Sequence, residues 1–298
     1  MTTVQTATAD RTVFGIGIAF VSFLVLSMGD ALTKLLSTRY SVFELAVIDA
    51  VFALLVVLPV LIRQEGAKAL MPRRPSIVIL RCALGAGSLM LCFLAFAAIP
   101  LAQGYSIAFL TPLAVTALSA PVLGEHVSWR QWLAVVIGFA AVIVILRPDF
   151  HGIGIGQVYM LGSAALFALS MLVLRRIAKS ESNATLLLIY FVMLFLIGLP
   201  VAIGQWKTPD AADLGLMALL GAFSGLGNLL LIAAFRYAPA AIVSSFMYCQ
   251  LIWGTVFGAF LFGDLPDIIT IGGAGVIMLC GIYTLTHASR AARATAGA

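Results

Sequence analysis

Long apolar runs, separated by brief polar punctuation, fill the chain from residue 13 to residue 287. About 20 helical residues cross about 30 Å of hydrocarbon. Reading with that length predicts ten spans, at 13–37, 42–62, 76–98, 101–122, 128–146, 154–177, 184–205, 212–235, 240–262 and 267–287. The connections are short, and Ile99-Pro100-Leu101 and Ala238-Pro239-Ala240 are little more than proline turns. Proline suits the first turn of a helix, where its missing N–H is not needed. No stretch remains for a soluble domain. The first run follows a polar stretch ending at Thr12 and carries no small-residue cleavage site, so it is expected to stay as a span.

Composition sharpens the solvent question. The chain is 62% hydrophobic and 10% charged, with a mean hydropathy of +1.13, against about 45–50% and about 25% in soluble domains. Lipid must be the outer solvent, and the expected class is an all-α integral membrane protein. The net charge of +5 sits in short tracts between apolar runs, which argues for topology signals and against nucleic acid. With the N-terminus cytoplasmic, thirteen of the seventeen Lys and Arg lie inside, and only Lys34, Arg39, Arg147 and Lys207 lie outside. That bias predicts a multi-pass protein of the bacterial inner membrane with both termini cytoplasmic. The four cysteines fall within apolar runs without metal spacing, and the three histidines sit at span ends. No metal or other cofactor is therefore expected. The "GIGIG" at 152–156 follows a turn between spans rather than a strand, so it does not argue for a nucleotide site.

The chain also repeats itself. A shift of 139 residues lays Ala95, Phe96, Pro100, Ser106, Thr116 and Gly124 on Ala234, Phe235, Pro239, Ser245, Thr255 and Gly263. A shift of 141 does the same for Leu58, Pro59 and Val60 on Leu199, Pro200 and Val201. Each half then has five spans, and an odd number forces the second to enter from the opposite side. The prediction is two inverted five-helix repeats around a central cavity, 13–148 and 149–287, flanked by cytoplasmic tails 1–12 and 288–298. Secondary transporters often use this plan, with the solute site near the midplane.

Residues 81–148 carry Arg81, the Pro100 turn, "FLTP" at Phe109–Pro112, "LGE" at Leu123–Glu125 and a closing "LRP" at Leu146–Pro148. The second half offers "FRYAPAAIVSS" and "FGD" at Phe262–Asp264, though no proline follows Gln250 as Pro112 follows Thr111. In these features the chain resembles the drug/metabolite transporter superfamily, in its ten-helix EamA-type branch, and within it the YddG-type amino-acid exporters. The resemblance implies a basket of ten helices around a cavity lined mainly by helices 1, 3, 4, 6, 8 and 9. It also implies export of amino acids or related metabolites. Many relatives carry a basic residue in helix 2 where this chain has Asp49.

Helical phase then selects the solute-facing candidates. Ser244, Ser245 and Tyr248 share one side of the ninth span, Gln103 and Ser106 a stripe of the fourth, and Ser88 and Phe96 a stripe of the third. The eighth span adds Asn228, and the sixth Ser163 and Phe167. Small and hydroxylated residues also serve as helix-packing surfaces, so each lone serine has that competing reading. Together they suit a small neutral or zwitterionic solute and not a phosphate, which would want arginine clusters. Asp30 and Asp49 lie at similar depth in the first two spans, with Lys34 one turn above Asp30. They are expected to cluster as a paired gate, or as a proton-coupling group.

The expectation is a secondary transporter exporting amino acids or related metabolites by alternating access, with the bilayer and the small solute as its partners. Its oligomeric state is left open. Carriage of a nucleoside, sugar or drug, or a passive channel, are the alternatives. An intramembrane serine protease is disfavoured because no histidine lies mid-span to activate a serine.

Overall fold

The computed structural model describes residues 2–124, 127–146, 154–177, 180–238, 243 and 246–296. The described backbone is helical nearly throughout. Helices α1 (Thr2–Leu36), α2 (Val42–Glu65) and α3 (Pro75–Ala98) are followed by a pair, α4 (Leu101–Ala108) and α5 (Thr111–Leu123). Then come α6 (Trp129–Leu146), α7 (Ile155–Ile177), α8 (Asn183–Gln205) and α9 (Ala211–Tyr237), and finally α10 (Cys249–Phe257) and α11 (Ile268–Ala296). Only helices satisfy every backbone group internally in hydrocarbon without a partner strand.

Among the described residues, eight segments are long and apolar enough to cross a membrane, with α4 and α5 acting together as one. Two shorter apolar segments, Phe246–Phe262 and Ile268–Tyr283, coincide with the last two expected spans. Large apolar side chains cover the outer surface, among them Val136, Ile143 and Leu279 at 61%, 58% and 70% exposure, as lipid contact requires. Trp129, Trp132 and Trp206 are also exposed near helix ends, where an interfacial aromatic belt is expected. The polar stretch before residue 13 continues helix α1 rather than forming an irregular tail.

Contacts across the bundle define its two ends. Lys34, Ile99 and Asp264 meet at the end where α1 finishes, as do Arg39, Tyr40 and Asp213. That end is called distal here. Glu181 with the Arg73 and Arg74 amides, and Arg236 with Gln64 and Glu65, mark the opposite, proximal end. Helix α1 packs along α9 and α3 along α7, while α2 lies against α8 and α6 against α11.

Glycine sets the crossing of α2 and α9. Gly221 and Gly225, one turn apart on α9, face α2 so tightly that a Cβ on Gly221 would stand 2.8 Å from the Asp49 carbonyl oxygen. On Gly225 it would stand 2.9 Å from the Ala53 carbonyl oxygen. Such a Gly-x-x-x-Gly stripe lets two backbones approach, and in lipid that close packing substitutes for the missing hydrophobic drive.

The fourth span is broken at Phe109–Leu110, because Pro112 sits in the first turn of α5 and cannot donate back to the preceding turn. The break is buried, with Phe109 1% and Leu110 4% exposed, which is where non-helical backbone is tolerated at membrane depth. In the ninth span a 3₁₀ turn over Phe246–Tyr248 leads into α10 at the matching point without a proline. The two breaks touch: the rings of Phe109 and Tyr248 pack edge to face at 4.8 Å.

Residues related by the 139-residue shift repeat their backbone conformations. Gly124 and Gly263 both cap helices with φ 69°. Ile99 and Ala238 end theirs at φ −133°, ψ 160° and φ −130°, ψ 150°.

Candidate transport site

The predicted solute-facing residues separate into three groups. Ser88 and Ser163 bond to each other: each hydroxyl donates to the other's carbonyl at 2.8 Å, and the two oxygens lie 3.0 Å apart. This clasp holds α3 to α7. Both serines are satisfied, so the packing reading of these two positions is the one the geometry supports. Ser106 donates to the Ala102 carbonyl at 2.7 Å and Asn228 to the Ser224 carbonyl at 2.9 Å, each within its own helix.

Gln103 is not at the midplane. It lines a cavity of about 230 Å³ at the distal end with Pro100, Leu146, Pro266 and Thr270. A second cavity, of about 420 Å³, lies at the proximal end among Ala69, Arg73, Glu181 and Thr185. Neither is the central cavity that was expected. Tyr248 is buried, and its hydroxyl turns toward α11, where a Cβ on Gly281 would collide with it. Ser244 and Ser245 lie outside the described residues.

Phe96 and Phe167 belong to the interior. The Phe96 ring is 1% exposed and packs 5.2 Å from Tyr105. Phe167 shares a helical stripe with the buried Met160, Ser163 and Ala164 yet is 39% exposed. The exposed Ile155 and Val158 of α7 lie on the opposite side, so Phe167 is exposed on an otherwise buried stripe.

The expected Asp30–Lys34–Asp49 cluster does not form as drawn. Lys34 turns away and binds Asp264 with Nζ 2.7 Å from Oδ2, also donating to the Ile99 carbonyl at 3.2 Å. Its ammonium stands 4.9 Å from the centre of the Phe262 ring. The reason is reach: Lys34 projects from the last turn of α1 toward the 263–267 connection, where a carboxylate awaits it. Asp30 instead accepts a hydrogen bond of 2.5 Å from the Tyr105 hydroxyl. Asp49 is fully buried, and neither of its oxygens finds a donor within hydrogen-bonding distance. Its neighbours are Ser224, whose hydroxyl approaches as a donor without reaching good hydrogen-bond geometry, and Asp30, which acts on it electrostatically.

Sequence reasoning singled out neither Tyr105 nor Asp264 as a candidate. Tyr105 was legible by the argument that selected Tyr248, since a buried phenol needs a partner. Arg81, near the proximal end of α3, has a buried Nε without an acceptor and its guanidinium 6.0 Å from the Tyr190 ring centre.

Two stretches of the chain, residues 13–147 and 154–286, each match the profile of the EamA-like transporter family. The chain belongs to the EamA-like transporter family. It is a multi-pass membrane transporter and not an enzyme. Among curated relatives, the S-adenosylmethionine uptake transporter of Rickettsia prowazekii is 26% identical over 265 residues, covering 89% of this chain and 90% of that protein. The pseudopaline exporter CntI of Pseudomonas aeruginosa is 26% identical, covering 93% and 97%. A riboflavin transporter of Rhizobium johnstonii is 28% identical, covering 81% and 80%. A crystal structure 16% identical in sequence superposes with a TM-score of 0.64 over 95% of this chain and 98% of the other, a likeness of fold alone. This EamA-family transporter thus has relatives named for uptake and for export, and these names do not single out amino-acid exporters.

Proposed function

We propose that this EamA-family chain is a secondary transporter that carries an amino acid or amino-acid-derived metabolite by alternating access. The halves 13–148 and 149–287 would be inverted repeats, rocking about the crossing of the two broken spans. The observation that carries this reading is the double match of one family profile to a single chain. The paired conformations at Gly124 and Gly263, and at Ile99 and Ala238, agree with it. So does the packing: exchanging the halves turns the α1–α9 contact into the α7–α3 contact. The excess of basic residues on the proximal side argues for a bacterial inner-membrane protein with cytoplasmic ends at residues 1–12 and 288–298.

The relatives widen the solute class beyond free amino acids and make S-adenosylmethionine, itself an amino-acid derivative, the first solute to test. Direction follows from the gradient in an uncoupled carrier, so uptake and export are one mechanism. Purified protein in liposomes should exchange labelled S-adenosylmethionine, or one of a panel of amino acids, faster than empty vesicles. If none of them moves, the proposed solute class is wrong and riboflavin, nucleosides and sugars become the panel. Thiol labels at Phe167→Cys should react from one side of the membrane at a time. Simultaneous reaction from both sides would instead indicate a channel.

A further inference from the structure

We infer that Asp30 and Asp49 form a binding site for the positively charged sulfonium centre of a solute. This inference rests on the carrier reading above and adds the chemistry of its cargo.

Two carboxylates, Asp30 on α1 and Asp49 on α2, lie within electrostatic reach of each other in the distal half of the bundle. Each lies about 10 Å from the distal helix ends, six residues from the end of α1 and seven from the start of α2. Among the described residues neither is ion-paired. The two cations that could have reached them are engaged elsewhere: Lys34 is held by Asp264, and the Arg81 guanidinium stands against Tyr190 in the proximal half. Among the described residues Asp30 has one donor, Tyr105, and Asp49 has only the looser approach of the Ser224 hydroxyl. A charge at membrane depth costs about 2.5–3.5 kcal/mol on insertion scales, and such residues are normally paired. Two adjacent negative charges add mutual repulsion. What would relieve both is a cation that arrives from outside the protein.

Independent features point to that occupant. Ser27, on the turn of α1 preceding Asp30, is fully buried with its hydroxyl oxygen unpartnered, and it lies beside Tyr105. It offers a further neutral acceptor at the same place. The surroundings are aromatic: the Tyr105 and Phe96 rings pack together at 5.2 Å, and Tyr190 lies within electrostatic reach of Asp49. Aromatic faces with carboxylates suit an organic cation. A metal ion fits poorly, since no group of three or more His, Cys, Asp or Glu side chains converges among the described residues. Beyond Tyr190, the unpartnered Nε of Arg81 gives the proximal half the opposite polarity. A zwitterion with its cation toward the distal end would match that gradient.

The test uses full-length protein and two readouts. In liposomes, S-adenosylmethionine is compared with S-adenosylhomocysteine, which lacks the methyl group and the sulfonium charge. Wild type should prefer the sulfonium at least tenfold in half-saturating concentration. Asp49→Asn and Asp30→Asn should lose that preference while moving the homocysteine compound within about twofold of wild type. Unchanged preference in both variants overturns the inference, as does equal loss of both solutes, which would indicate a coupling role instead. The second readout needs no transport. In protein retaining only Cys92, which lies within electrostatic reach of Asp30, a cationic thiosulfonate should react at least tenfold faster than an anionic one. Asp30→Asn with Asp49→Asn should abolish that difference. A wild type that transports nothing but keeps the labelling bias defeats the carrier reading and leaves the cation site standing. No bias, or no reaction with either reagent, defeats the site.

Discussion

Lys34 and Asp264 join the end of α1 to the connection that follows the ninth span, across the distal mouth of the bundle. The ammonium is 2.7 Å from the carboxylate, and the two side chains are 15% and 33% exposed. A hydrogen bond to a charged group contributes about 1.5–3 kcal/mol when sheltered. Asp264 is a third open to solvent, so screening lowers this to about 1–2 kcal/mol. If the distal mouth opens by separating these residues, Asp264→Asn or Lys34→Met should favour the distal-open state by about 5- to 30-fold, at 1.4 kcal/mol per factor of ten. The assay is the rate at which an impermeant thiol reagent, added from the distal side, labels Phe167→Cys in a protein without other cysteines. Both variants should speed that labelling, and the double variant should add little beyond either alone. Rates within twofold of the parent, in variants that stay folded, would refute the gate and leave the ion pair as a static tie.

Other outcomes follow from the same geometry. Gly221→Ala forces a methyl toward the Asp49 carbonyl oxygen and should destabilise by about 1–3 kcal/mol, seen as a lower thermal midpoint; an unchanged midpoint would contradict the close α2–α9 crossing. Ser88→Ala and Ser163→Ala should each cost about 1 kcal/mol, with strong coupling in the double-mutant cycle and little change in half-saturating solute, since they bond each other rather than cargo. Tyr105→Phe removes the one hydrogen-bond donor to Asp30 among the described residues and should lower thermal stability by about 1.5–3 kcal/mol, whereas Tyr248→Phe, whose hydroxyl has no hydrogen-bond partner among them, should not. The Tyr40 phenol is held above its ordinary value of 10.0 by its hydrogen bond to Asp213. It should therefore ionise later than free tyrosine in a spectrophotometric titration, so that the Tyr40–Asp213 tie is kept at neutral pH and lost only as pH rises through the raised value. Asp213→Asn should return it toward the ordinary range.

Some of this was written in single residues and their spacing. The span boundaries followed from run length, because the hydrocarbon thickness is fixed and every backbone group within it must bond along its own helix. Pro59 and Pro200, and Gly124 and Gly263, marked the repeat because helix interiors and left-handed caps restrict which residues fit. Helical phase put Phe96 on an interior face, since side-chain direction along a helix repeats with the turn, and the cost of a bare charge in hydrocarbon did the same for Asp30 and Asp49. What phase does not contain is the identity of the facing helix. A serine on an inward stripe reads the same whether it meets a solute or another serine, and only the α3–α7 contact turned Ser88 and Ser163 into a clasp. Lys34 reads as a partner for the acid one turn away until the fold brings Asp264, 230 residues later, within 2.7 Å. The sequence by itself determined the solvent, the helices and the chemistry available inside, because those depend on local polarity and period. Only the tertiary structure decided which charges were neutralised and which were left waiting, because pairing depends on distances between segments remote in the chain.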